Sequence, residues 1–171
     1  MHNEFEKWLT AFSKKRLPLW NEFPDFDLYM DQLVNLGNRY LEDFIDTKIT
    51  ASMINSYVKK ELMERPNKKK YTTTNVAELV VISLLKSIYP LETIRSGIKQ
   101  STKDAPIADS YDYFANLFNR TQSSFSLENS PQVDSFNENM IQLTEQFAIH
   151  AVIYKMIGEK LVNLQRTSKI K

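Results

Sequence analysis

Residues 49–71 read ITASMINSYVKKELMERPNKKKY, and this stretch decides the fold that we expect for the chain. Thr50 is a favourable N-cap residue, and apolar residues then recur at helical spacing, so we predict a helix over residues 51–63. A proline and an asparagine then interrupt the helical pattern and predict a turn. That turn carries three consecutive basic side chains, Lys68, Lys69 and Lys70. The stretch therefore predicts a helix followed by a basic turn.

The predicted helix has two chemically different faces. One face is apolar and consists of Ile54, Tyr57, Val58 and Leu62. The other face carries short polar and basic side chains, namely Ser52, Asn55, Ser56, Lys59 and Lys60. Short polar side chains can reach base edges in a DNA groove, while lysines hold the phosphates on either side. We therefore predict double-stranded DNA as a partner, bound by this polar face and by the three turn lysines.

The segments around this stretch predict further helices. Asp27 is placed to cap a helix that ends near Leu41. Residues 71–74 favour an extended conformation, and Asn75 with Glu78 can form the capping box of the next helix. That next helix is apolar on nearly all sides, which is typical of a helix at the centre of a core.

The fold-deciding stretch resembles the winged helix-turn-helix of MerR-type proteins. In that group a recognition helix leads to a leucine, a proline, a basic wing and a tyrosine, and here Leu62, Pro66, the three turn lysines and Tyr71 stand in that order. The chain departs from the MerR pattern at five positions, Asn55, Ser56, Glu61, Thr72 and Ile88. Glu61, for example, replaces a glycine of that pattern. The resemblance implies a transcriptional regulator whose recognition helix enters the major groove.

A broader resemblance extends over residues 17–98, which are similar to a Gram-positive family of unknown function, the YkrK-like proteins. We accordingly expect an all-α chain with minimal β structure in the wing. Its parts are an N-terminal helix and connector over residues 1–26, the MerR-like helix-turn-helix domain over residues 27–100, and a C-terminal helical region over residues 101–171.

The longest periodic segment predicts a helix over residues 134–164. Its apolar residues alternate between spacings of three and four, as in a coiled-coil seam: Met140, Leu143, Phe147, His150, Tyr154, Ile157, Leu161 and Leu164. A helix about 45 Å long exceeds what so small a domain needs. Two interpretations stay open, a homodimer through this helix and a core helix within one chain.

Composition narrows the classes of function. The chain has no cysteine and only three glycines, so cysteine-based zinc sites and glycine-rich phosphate loops are excluded. The two histidines, His2 and His150, have no nearby co-ligand in the sequence, and we expect no catalytic site, no metal and no cofactor. The first residues lack the pattern of a signal peptide, and no apolar run is long enough to span a membrane, so we expect a cytoplasmic protein.

The positive charge is concentrated in one part of the chain. The whole chain carries a net charge of +1, but residues 48–71 contain seven basic and two acidic residues. Residues 1–47 contain five basic and nine acidic residues. A local basic segment of this kind predicts contact with phosphates. The alternative function is a protein-interaction module that keeps the helix-turn-helix fold and does not bind DNA.

Overall fold

A computed structural model describes residues 2–133 and 139–168 of the chain, and within them it is all-α, as the sequence predicts. Those residues form α1 (His2–Phe12), α2 (Met30–Leu41), α3 (Ala51–Lys59), α4 (Thr73–Leu85), α5 (Leu91–Ser101), α6 (Ile107–Ser123) and α7 (Met140–Ser168), with one 3-10 turn at Trp20–Glu22. In this part of the chain the β structure is limited to two isolated bridges, Leu28 with Tyr71 and Asn67 with Lys70.

The chain divides into two compact units, which are described separately. Residues 17–115 form the first, called here the central unit. Residues 1–16 and 116–171 form the second, called here the terminal unit. Helices α2 to α5 belong to the central unit, and α1 and α7 belong to the terminal unit.

Helix α4 is the centre of the central unit. Its sequence is apolar on almost every side, and Leu79, Ile82 and Leu84 are fully buried. Helix α2 approaches it so closely at Gly37 that a Cβ atom there would lie 2.8 Å from Cδ2 of Leu79 and 3.1 Å from Cδ1 of Ile49. A side chain at position 37 would therefore have to displace buried core atoms.

The amide of Asn38 joins the end of α2 to the segment that leads into α3. Its nitrogen donates to the carbonyl oxygens of Val34 and Ile49, and its oxygen accepts from the backbone N–H of Ile49 at 2.8 Å. Ile49 is itself buried directly ahead of α3. These bonds fix the angle at which the chain enters α3, because they hold both backbone polar groups of Ile49 in place.

The predicted cap of α2 at Asp27 is wrong. The helix begins at Met30, and the side chain of Gln32 accepts from the backbone N–H of Tyr29 at 2.8 Å. Leu28 does not join the helix, because its backbone N–H and C=O both pair with Tyr71, each at 2.8 Å. This long-range pairing keeps residues 27–29 extended, which a local capping rule does not consider.

Two further boundaries differ from the sequence-based expectation. The capping box of α4 lies one helical turn earlier than predicted, since the helix begins at Thr73 and Thr72 donates its backbone N–H to the side-chain oxygen of Asn75 at 2.8 Å. The predicted extended segment over residues 71–74 therefore ends at Thr72. Helix α3 ends at Lys59 and not at residue 63.

The terminal unit is built from α1, the second half of α6 and the 29-residue helix α7. The rings of Phe5, Trp8 and Phe12 stack along α1, and the ammonium of Lys160 lies 5.8 Å from the centre of the Trp8 ring. Within α7, Ile149 is among the fully buried residues and His150 is buried. Residues 134–138, where the predicted long helix was to begin, lie outside the described residues.

None of the helices that the structure describes combines the length and the apolar character needed to cross a membrane.

Candidate nucleic-acid interface

Helix α3 begins as its sequence predicts. The side-chain oxygen of Thr50 accepts from the backbone N–H of Met53 at 3.3 Å, which satisfies one of the free donors at the helix start. Ile54 and Tyr57 are buried on the inner side. Four of the five predicted polar contact residues are exposed and the fifth is half-buried: Ser52, Asn55, Lys59 and Lys60 face solvent, and Ser56 is intermediate.

The end of α3 depends on a residue in an unusual backbone conformation. Glu61 has φ 58°, in the left-handed region that favours glycine. This conformation lets the backbone N–H of Leu62 reach back to the carbonyl oxygen of Tyr57 at 2.9 Å, which is the pattern of a Schellman helix end. Leu62 is thereby turned into the core, and the chain leaves α3 toward the lysines.

The three lysines lie on a tight two-residue turn, called here the lysine turn. Asn67 and Lys70 exchange both backbone hydrogen bonds, at 3.0 and 2.9 Å. Between them Lys68 has φ 47° and Lys69 has φ 66°, so both central residues are left-handed, as in a type I′ turn. Asn-Gly is the preferred pair for such a turn, and two lysines are not. All three lysine side chains are exposed.

The lysine turn is attached to the body of the central unit on one side by the pairing of Tyr71 with Leu28. Tyr71 is buried. The start of α4 is held by a hydrogen bond from the hydroxyl of Thr73 to the carbonyl oxygen of Pro24, at 3.1 Å. The turn therefore projects from a fixed base next to the segment that enters α2.

On its other side the lysine turn is attached through Glu64. The backbone N–H of Glu64 donates to the carboxylate of Glu78 at 3.0 Å, and the carbonyl oxygen of Glu64 accepts from the amide nitrogen of Asn75 at 2.9 Å. Burial raises the pKa of Glu78 to about 7, against the lowering effect of the hydrogen bonds that its carboxylate accepts from the backbone N–H of Glu64 and, at 3.2 Å, from the amide nitrogen of Asn75. The carboxyl of Glu78 thus changes charge near neutral pH.

A groove of about 640 Å³ connects the start of α2, the start of α3 and the lysine turn. Ala51 lines it from α3 and Lys69 lines it from the lysine turn, so the two predicted binding elements border the same surface. Lys59 and Lys60 lie at the opposite end of α3, about 12 Å further along the helix axis at 1.5 Å per residue. Of the eight predicted contact residues only Lys69 lines the groove, and the five on α3 follow Ala51 along the helix without lining it.

Sequence reasoning missed the contribution of α2 to this surface. Tyr29, Asp31 and Asn35 line the groove, and the ammonium of Lys70 lies 5.6 Å from the centre of the Tyr29 ring. Asp31 and Lys69 line the same groove, so the carboxylate partly offsets the positive potential of the lysine turn. No local pattern identifies these residues, because the pairing of Leu28 with Tyr71 is what brings them to the lysines. An exposed aromatic residue directly before a helix was the one available signal.

Within residues 2–133 and 139–168 no three histidine, aspartate or glutamate side chains gather into a metal-binding cluster. The aromatic side chain of Tyr111 at the end of the central unit is buried, and its hydroxyl donates to the carbonyl oxygen of Pro18 at 2.8 Å. That bond accounts for a polar group inside the core, as buried tyrosines require.

Comparison with known families gives one match. A family model described as a domain of unknown function (DUF1836) matches residues 18–114, more than half of the chain. The matched segment corresponds closely to the central unit, residues 17–115. No curated protein and no solved structure matches the chain.

Proposed function

The chain belongs to the DUF1836 family, and we propose that its central unit binds double-stranded DNA as a winged helix-turn-helix domain of the MerR-like kind. In this proposal α2 and α3 form the helix-turn-helix, and the lysine turn is a short basic wing. The protein is a cytoplasmic, non-catalytic transcriptional regulator that uses no metal or cofactor. The observation that carries the proposal is the groove shared by the start of α3 and the lysine turn.

Two details of the backbone support the MerR-like interpretation. Glu61 stands where the MerR pattern has a glycine, and it has the left-handed conformation that glycine adopts most easily. Tyr71, the tyrosine that follows the basic residues in that pattern, pairs with Leu28 ahead of α2. The residue that follows the lysine turn is thereby joined to the segment ahead of the first helix of the proposed helix-turn-helix. The family match is to a domain of unknown function, and the similarity of residues 17–98 to the YkrK-like proteins stays a prediction.

The contacts follow from the chemistry of the exposed side chains. Asn55 can form two hydrogen bonds with the major-groove edge of adenine, and Ser52 and Ser56 can bond to a base or a phosphate. Lys59 and Lys60 at the end of α3, with the lysine turn at the other side, hold the phosphates that flank the base contacts. Asp31 opposes the nearest phosphate and weakens binding at that point.

The test removes the charges of the lysine turn. A Lys68→Ala, Lys69→Ala and Lys70→Ala triple variant is titrated against a labelled mixed-sequence DNA duplex of about 30 base pairs at several salt concentrations. If each lysine neutralises one phosphate, the slope of log K against log salt becomes shallower by about 2.7. An Asn55→Ala variant keeps that slope and loses discrimination between target sequences, because its contact is with a base.

The matched control removes the same amount of charge elsewhere. Lys7, Lys99 and Lys103 are exposed and do not line the groove. Their triple alanine variant should bind DNA with the slope of the unmodified protein. Equal effects of the two triple variants would show that only overall charge matters, and they would contradict a defined interface.

A second function is favoured by two exposed aromatic residues on either side of Leu28 in the sequence, one of which, Tyr29, lies under the ammonium of Lys70. Phe26 is 60% exposed and Tyr29 is 53% exposed. Aromatic residues are enriched in protein–protein interfaces, and such a surface fits a protein-interaction module that keeps the fold without binding DNA. In that case the triple variant at the lysine turn leaves the background affinity for the duplex unchanged.

A further inference from the structure

Helix α7 exposes a row of large apolar side chains at intervals of seven residues. Met140 is 75% exposed, Phe147 43%, Tyr154 45% and Leu161 37%. They share one side of the helix, because seven residues are close to two helical turns. The opposite side of α7 contains Ile149 and Ile153, which are fully buried in the terminal unit.

The structure divides the coiled-coil seam that the sequence predicts. Leu143 and His150 belong to that seam, yet both are buried within the terminal unit. The exposed row takes four residues of the seam, Met140, Phe147, Tyr154 and Leu161, while Ile157 and Leu164 are half-buried. Thr144, Ala151 and Gly158 lie between these four on the same side of α7. Large and small residues therefore alternate along this side, and none of these seven residues carries a charge.

Gly158 is the most informative of the small residues. It lies inside a helix, where glycine is unfavourable compared with alanine. A Cβ atom at this position would meet nothing within 4 Å in the chain, so the packing of the chain does not require glycine there. Gly158 lies between exposed Tyr154 and Leu161, and it therefore leaves a gap on the exposed side of the helix between these two large side chains.

We propose that α7 pairs with α7 of a second copy of the chain in antiparallel orientation, about a two-fold axis that meets the exposed side of the helix midway between Ala151 and Tyr154. Reversing one helix places three of the four large residues opposite a small one of the other copy: Phe147 opposite Gly158, Leu161 opposite Thr144, and Tyr154, whose hydroxyl donates to the carbonyl oxygen of Pro131, opposite Ala151. The fourth, Met140, falls opposite Gln165. A parallel pair would instead bring Phe147 against Phe147 and Gly158 against Gly158, which leaves crowded and empty layers. The interface is self-complementary, as a two-fold dimer requires.

The size of the surface fits a reversible dimer. Aromatic side chains present about 150–250 Å² each, so the exposed parts of the large residues, with half-exposed Val162 beside them, amount to roughly 500 Å² per copy. The helix backbone uncovered at Gly158 adds to this area. Two copies together provide roughly 1,000 Å², below the about 1,200 Å² at which standard specific interfaces begin, and we therefore expect a weak, concentration-dependent dimer.

This inference specifies the dimer that the sequence left open. It rests on the proposed function only for its biological purpose, since two-fold symmetry would present two DNA-binding units to inverted half-sites. Its test does not involve DNA, so the dimer and the DNA proposal can fail independently.

The first experiment measures the mass of the full chain by sedimentation over a range of concentrations. Gly158→Ala adds a methyl group in the gap that Phe147 of the other copy fills, and it should weaken dimerisation by about ten- to hundredfold. Gly97→Ala is the matched control, because Gly97 also lies inside a helix with nothing within 4 Å of an added Cβ atom. The control should leave dimerisation unchanged. A chain that stays monomeric to about 100 μM, or a Gly158→Ala variant that dimerises like the control, overturns the proposal.

The second experiment determines the orientation. The chain has no cysteine, so single cysteines can be introduced as Thr144→Cys and Leu161→Cys. In the antiparallel dimer a mixture of the two variants forms a disulfide under mild oxidation, and neither variant alone does, because identical positions are about 25 Å apart along the helix. Cross-linking of each variant with itself indicates a parallel pair and overturns the proposed register.

Discussion

Replacing Lys68 and Lys69 by Asn and Gly should stabilise the protein while weakening its binding to DNA. Both lysines have left-handed backbone angles, φ 47° and φ 66°, and an L-residue in that region costs about 1–2 kcal/mol. Asn-Gly is the pair that a type I′ turn prefers. Part of the gain is offset by the greater freedom of glycine in the unfolded chain, about 0.5–1 kcal/mol. The expected net gain in the free energy of unfolding is therefore about 1 kcal/mol.

The same change removes two positive charges from the proposed interface. Each phosphate contact contributes about 0.9 to the salt slope, so the slope should become shallower by about 1.8. Urea unfolding measures the stability, and titration of a labelled duplex at several salt concentrations measures the slope. We expect the free energy of unfolding to rise while DNA binding weakens. A variant that merely damages the fold would instead lose both stability and DNA binding.

The control for this variant is Lys68→Gln with Lys69→Gln. It removes the same charges and keeps side chains in the left-handed positions, so it should show the shallower salt slope without the gain in stability. If the Asn-Gly variant is no more stable than the glutamine control, the turn does not carry the strain described above. If neither variant changes the salt slope, the lysine turn does not contact phosphates.

Three further outcomes are expected. Glu78→Gln should raise the free energy of unfolding at pH 8 by about 1–3 kcal/mol and should flatten its pH dependence. Burial raises the pKa of Glu78 from 4.5 to about 7, so between these pH values the native carboxyl holds a proton that the unfolded one does not. The stability of the unmodified protein therefore falls as pH rises from about 4.5 to 7. Urea titrations at pH 5 and pH 8 compare the two proteins, and an unchanged difference between the two pH values would refute the assignment. Asp31→Asn should tighten duplex binding a few-fold by removing a carboxylate from the groove that Lys69 lines, whereas weaker binding in the same titration would place the DNA elsewhere. Gly37→Ala should lower the melting temperature despite the better helix propensity of alanine, because the added Cβ atom would lie 2.8 Å from a side-chain carbon of Leu79; a higher melting temperature would show that the core yields at this point.

The sequence predicts those parts of the fold that depend on neighbours along the chain. Thr50 begins α3 because its side chain and the free backbone donors of the first turn lie within four residues. Helix α4 is central because its own residues are apolar on nearly all sides. The cap of α2 could not be predicted in this way, since Tyr71, which is distant in sequence, holds Leu28 outside the helix.

The candidate interface likewise has a part that depends on neighbours along the chain and a part that depends on distant residues. The polar side of α3 follows from helical periodicity, and Ser52 and Asn55 do face solvent. The groove does not follow from it, because Asp31 and Lys69 reach that surface through pairing between distant segments. The left-handed backbone conformation of Lys68 and Lys69 could not be predicted either, since lysine has no preference for such a turn. That these residues bind DNA stays a prediction until the titrations are made.

Asn75 has a consequence for the order in which the protein folds. Its side-chain oxygen accepts from the first backbone donor ahead of α4, and its nitrogen donates to Glu64 at the base of the lysine turn. An isolated two-stranded hairpin is at best marginally stable in water, so the turn needs this support from the helix. The lysine turn should therefore form only after the first turn of α4, and its amides should exchange hydrogen for deuterium at the rate at which that helix opens.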